Sequence, residues 1–151
     1  MNNLKEKLHQ VTPLLSAELQ LISQHHFFLE DEKMTPQVHT LIFEYFFPRL
    51  EIAFYPINSD EDQLGYKDLL NGEGILKDAS EQELQQLEVE KEKLSQTYQE
   101  LGNSFAHWFA ELWKNSGGKQ LELPTFLITD DESLTKFDLN KLIWVKDESY
   151  K

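Results

Sequence analysis

Histidine and carboxylate side chains are where chemistry would have to begin, because the chain has no cysteine and so no thiolate nucleophile, disulfide or sulfur-ligated zinc. His25 and His26 are adjacent; neighbouring residues of a helix point about 100° apart, so the pair cannot face one ion. His107 and Glu111 have better spacing, one turn apart on a helix face, but the sequence supplies no third ligand. Asp60-x-Asp62-x-x-Gly65 resembles the start of a calcium loop. The later ligand positions fall on Leu64 and Asn71, so a weak divalent-ion contact is the most it offers. Asp130-Asp131-Glu132 follows an apolar segment, where a carboxylate pair could serve as acid and base; turn chemistry accounts for the same aspartates. A hydrolase using Asp130, Asp131 and His107 is thus the one catalytic arrangement that can be drawn. G-x-S-x-G, P-loop, G-x-G-x-x-G and H-E-x-x-H motifs are absent. The residues therefore predict no catalytic site, no bound metal and no cofactor.

Charge points outward instead. The formal net charge is -13, and Arg49 is the lone arginine among 14 basic residues. Such a surface repels phosphate backbones and argues against nucleic-acid binding. A basic protein partner is the complementary reading, and simple solubility is the alternative. From Asn58 to Glu92 there are 11 acidic residues against three lysines, so the negative excess is concentrated there. No apolar run is long enough to span a bilayer, and the charged opening Met-Asn-Asn-Leu-Lys-Glu-Lys-Leu does not form a signal-peptide core. The expectation is a cytoplasmic protein with no membrane contact.

The elements that would carry these residues follow from periodicity. A length of 151 residues suits one domain that buries roughly two-thirds of its unfolded surface. Pro13 to Leu29 reads as a helix capped by Thr12, with a short or frayed helix before it. Val38 to Ile57 is rich in β-branched and aromatic residues and reads as two strands joined near Phe47 to Arg49. A helix over Pro36 to Phe46 capped by Thr35, followed by a strand, is the competing reading. Asn58 to Ala79 carries Gly65, Asn71, Gly72 and Gly74 and reads as a long surface loop, with one helical turn near Tyr66 to Leu70 at most. Ser80 and Glu83 form a capping-box pattern that opens a long amphipathic helix of Leu84, Leu87, Leu94, Tyr98, Leu101, Phe105, Trp108 and Leu112. It should stop at Gly117-Gly118 and break near Gly102-Asn103, since an unbroken helix of that length would outrun the globule. Leu121 to Thr129 reads as a strand, Asp130 to Ser133 as a turn, and Phe137 to Val145 as a further extended piece.

Trp108-Phe109-x-x-x-Trp113, Gly117-Gly118, Leu123-Pro124-Thr125-Phe126-Leu127-Ile128-Thr129-Asp130, Phe137-Asp138-Leu139-Asn140 and Trp144 together resemble the C-terminal part of small bacterial α+β domains, among them immunity proteins of toxin systems. The resemblance covers the last third of the chain. It implies a protein that binds and neutralises a toxin domain. Independently, the residues predict a single α+β domain over 1–151, an antiparallel sheet covered on one face by two or three helices. The predicted partner surface is Asp60, Glu61, Asp62, Asp68 and Glu73. A homodimer pairing the stripe of Leu84, Leu87, Leu94 and Tyr98 is the structural alternative.

Overall fold

Every second residue of the central strands is apolar and deeply buried, and that alternation decides the architecture. The computed structural model describes residues 2–46, 49–85, 95–129 and 135–146. Strand β1 (Thr40–Phe46) pairs antiparallel with β2 (Glu51–Ile57), so Phe43 lies opposite Phe54 and Tyr45 opposite Ile52. β2 carries the two-residue β3 (Lys67–Asp68) at the edge, while β4 (Thr125–Thr129), β5 (Thr135–Asp138) and β6 (Ile143–Lys146) extend the other side. The result is one 6-stranded sheet in the order β3-β2-β1-β4-β5-β6. The strand reading of Val38 to Ile57 holds, and the competing helix does not form; Pro36 lies instead in a short 3₁₀ segment, Glu32–Gln37, capped by the Asp31 carboxylate.

The sheet is mixed, not antiparallel as the sequence predicts, because β1 and β4 run parallel with Phe43 beside Leu127. Parallel neighbours need a long crossover, and the crossover here contains helix α2 (Ser95–Asn115). Leu41, Phe43, Tyr45, Ile52, Phe54, Leu127 and Phe137 share one face and join a single core with both helices. At its centre the Phe43 ring lies 5.1 Å from Phe54, 5.0 Å from Phe109 and 5.3 Å from Trp113.

Helix α1 (Asn2–Ser23) runs without interruption through Pro13, where the sequence places a boundary. Leu8, Leu15, Leu19 and Ile22 are buried on one stripe that crosses the proline, so tertiary burial on both sides outweighs the lost backbone bond. The Thr12 hydroxyl, expected to cap, donates back to the Leu8 carbonyl at 2.7 Å. Pro13→Ala is therefore expected to raise stability by about 1–2 kcal/mol, the interior cost of proline less its stiffening of the unfolded chain; urea denaturation measures it. The helix also ends earlier than the predicted Leu29. His25 takes φ 70, and Ser23 donates to the Ser116 carbonyl at 2.9 Å, which ties this end to the end of α2 and turns Phe27 and Phe28 toward the sheet.

The capping box forms, with the Glu83 amide donating to the Ser80 hydroxyl at 3.2 Å, and residues 81–85 are helical. Leu87 and Leu94 of the predicted dimer stripe, and the side chain of Tyr98, lie outside the described residues. Leu84 is already buried in the core of its own chain, which removes it from any seam between copies. α2 continues through Gly102 without the predicted break; its anchor is the buried set Phe105, Ala106, Phe109, Ala110, Leu112 and Trp113. It stops, as expected, at Gly117, whose φ is 96.

The predicted strand from Leu121 starts only at Thr125, because a 3₁₀ turn, Gly118–Leu121, and Glu122 at φ 59 come first. Phe137 to Val145 is a hairpin, not a single extended piece. The Asp138 carboxylate accepts from the amides of Asn140 and Lys141, both at 2.9 Å, and this closes the turn between β5 and β6.

Candidate interaction surface

The stretch from Asn58 to Ala79 is not a free loop. Asn58 organises its first turn: the side-chain oxygen accepts from the amides of Asp60 and Asp62, both at 2.9 Å, while its backbone amide donates to the Asp62 carbonyl at 3.0 Å. The turn pushes Glu61 to φ 66 and leaves Asp60, Glu61 and Asp62 exposed. The chain then returns beside Leu29 and Ile57 through isolated bridges and buries Leu64. Further on, Leu69, Ile75 and Leu76 enter the core. Sequence reading misses these three anchors because each stands in a short polar neighbourhood without period. The helical turn expected near Tyr66 to Leu70 does not form: Lys67–Asp68 is strand, and Leu70 and Asn71, at φ 55 and 58, make a left-handed turn before Gly72.

Asp68 pairs with Ala53 on β2, four residues along the strand from Ile57, which separates it from the acidic turn by roughly 13 Å at strand spacing. Its carboxylate accepts the Tyr66 hydroxyl at 2.7 Å. Glu73 lies nearer the other end of β2 and is held by Lys77 at 2.7 Å; that exposed lysine is raised above its ordinary pKa by the hydrogen bond and charge of Glu73. Arg49 donates to the Lys77 carbonyl at 3.2 Å. The five predicted residues therefore form a strip along the β2–β3 edge, not one cluster, with Asp60, Glu61 and Asp62 as its compact part.

Tyr66 reports on the field along this edge. Its pKa is pushed up to about 12, first by the hydrogen bond to Asp68, then by burial, then by the charges of Asp68 and Glu44. Only the protonated phenol can donate that bond, so its stabilising contribution is complete below pH 10 and is lost as pH rises through about 12. In a 295 nm titration of Asp68→Asn the Tyr66 transition is expected to fall from about 12 back toward pH 10. Glu44, on β1, is a contributor the sequence reading passed over. It shares a face with Ile42 and Phe46 and alternates with the core residues Phe43 and Tyr45, and that period of two is the signal that would have found it.

The remaining candidates do not converge. The His25 and His26 rings pack edge-on to Phe27 and Phe28 at 5.6 and 4.9 Å, each beside its own phenylalanine. His107 is exposed and packs against Phe137 at 5.1 Å; Asp130, Asp131 and Glu132 lie outside the described residues. Among the described residues no group of three or more histidines and carboxylates could hold a metal ion, and no helix is long and apolar enough to cross a membrane. Comparison of the chain with protein-family models, curated proteins and solved structures finds no match.

Proposed function

We propose that this protein is a non-catalytic binding module whose partner presents a basic protein surface, in the manner of an immunity protein that neutralises a basic toxin domain. The observation that carries the reading is the turn at Asp60, Glu61 and Asp62, three exposed carboxylates on a backbone fixed by the Asn58 side chain. A prearranged group of like charges costs little ordering on binding and steers an oppositely charged partner into one orientation. The net charge of -13 extends that steering field over the whole molecule.

The test is capture from an extract of the source cell on immobilised protein, with each retained species identified by mass spectrometry. A discrete basic protein is expected to be retained at about 0.05 M salt and released near 0.5 M, because exposed charges are screened beyond about 10 Å at 0.1 M. The triple change Asp60→Asn, Glu61→Gln, Asp62→Asn is expected to weaken that retention about tenfold or more, each exposed pair contributing up to about 1 kcal/mol. Retention indifferent both to salt and to the triple change would refute the reading.

A further inference from the structure

Helix α1 buries Leu8, Leu15, Leu19 and Ile22 on one side, and the side turned away should then carry charge, as the solvent face of such a helix normally does. It does not. From Leu8 to Gln24 the single Asp, Glu, Lys or Arg is Glu18, in a chain of which 27 % is charged. Even that carboxylate is turned inward, where it accepts the Leu70 amide at 2.7 Å. At about 100° per residue, Gln10, Leu14, Ala17, Leu21 and Gln24 fall within an arc of about 80° opposite the buried stripe, and all five are exposed. Leu14 is 66 % exposed and Leu21 45 %. One exposed leucine means little. Two of them, one heptad apart with an alanine between, form an apolar seam along the helix.

Charge and residue order say what covers it. A basic partner gains nothing from a neutral stripe when acidic surface lies elsewhere on the same molecule. Two copies of a chain with a net charge of -13 repel wherever acids meet, and this face lets them touch without setting one acid against another. The stripe reads Gln, Leu, Ala, Leu, Gln from either end, which suits an antiparallel two-fold contact between identical helices. An antiparallel crossing also opposes the two helix dipoles favourably, and the small side chain of Ala17 at its centre lets the axes approach to about 8 Å.

We infer that the outer face of α1 is a homodimer seam, in which two copies cross antiparallel about Ala17 and Leu14 of each packs against Leu21 of the other. The contact spans about 22 Å of helix, so the dimer is weak, with a dissociation constant of about 100 µM. A dimer formed here carries two copies of the acidic turn at residues 60–62 and can hold a repeated basic surface at two points.

Sedimentation equilibrium of the full chain tests this, over about 5 to 500 µM protein in about 0.05 and 0.5 M salt. A monomer–dimer equilibrium is expected, tightening about threefold at the higher salt as repulsion between the copies is screened; a basic partner responds to salt in the reverse sense. Leu14→Glu and Leu21→Lys should each weaken the dimer about tenfold or more, because each sets an unpaired charge against a leucine of the other copy. A mixture of the two variants should regain a heterodimer, since the introduced acid and base then face each other. Both positions are exposed, so the circular dichroism of each variant should match that of the parent, and either variant alone decides the seam if the other is unfolded. A chain that stays monomeric in both salts, or self-association that the variants leave intact, would overturn the inference. Loss in each variant without recovery in the mixture would overturn the antiparallel crossing. A non-basic protein captured from extract by a monomeric chain, and lost in Leu14→Glu, would overturn the inference in favour of a foreign helix. None of these results bears on the capture of a basic protein, so the basic-partner reading stands or falls separately.

Discussion

Phe43→Ala is expected to lower the melting temperature by about 8–16 °C, the equivalent of about 4 kcal/mol in a domain of this size. Phe43 is 0 % exposed and occupies a point where β1, β2 and α2 meet. Its ring packs against Phe54, Phe109 and Trp113, so truncation removes three aromatic contacts, each contributing about 0.5–1.5 kcal/mol beyond its area. The cavity cannot collapse easily, since a strand backbone lies on one side and a helix on the other. Total stabilities of about 5–15 kcal/mol leave little reserve against such a loss. A change as small as that of a half-exposed surface residue would mean that the core is centred elsewhere.

Gly118→Ala is expected to be nearly as damaging, at about 2–3 kcal/mol, for the opposite reason. A Cβ at this position would overlap the Trp113 indole ring. Trp113 is 1 % exposed and held by Phe43 on another side, so the ring has nowhere to go. Its Nε1 is buried with no hydrogen-bond partner among the described residues, an indication that the indole is positioned by packing rather than by polar contacts. Combining Gly118→Ala with Trp113→Leu should therefore recover part of the loss. A double-mutant cycle from denaturant melts should give a coupling of about 0.5–3 kcal/mol, and strict additivity would show that the two residues do not meet.

Legibility from the sequence tracked the strength of local pattern. The alternation from Leu41 to Tyr45 and from Ile52 to Phe54 was readable as strand, and Ser80, Glu83 and Gly117 were readable as helix signals, because each rests on chemistry within a few residues. The break expected at Gly102 and the boundary expected at Pro13 were local penalties of about 1–3 kcal/mol. Burial of Phe105 and its neighbours, and of Leu8 and Leu15, overrode them. The parallel pairing of β1 with β4 is a long-range event and left no mark on either strand. For the surface, the acidic turn could be found by composition. The row of Asp68, Ala53 and Glu44 could not, since its members come from three strands and only the register brings them together.

That register also sets a timetable for synthesis. Leu41 waits for Thr125 to complete its ladder, and at ribosomal rates of about 5–20 residues per second the intervening stretch of about 80 residues takes several seconds to emerge. During that interval a nascent hairpin of β1 and β2 exposes the flank that β4 will occupy, an adhesive template for other unfinished chains. Newly made chain is thus most vulnerable to aggregation before β4 is translated, and fragments ending short of β4 should demand chaperone protection that a chain containing it does not.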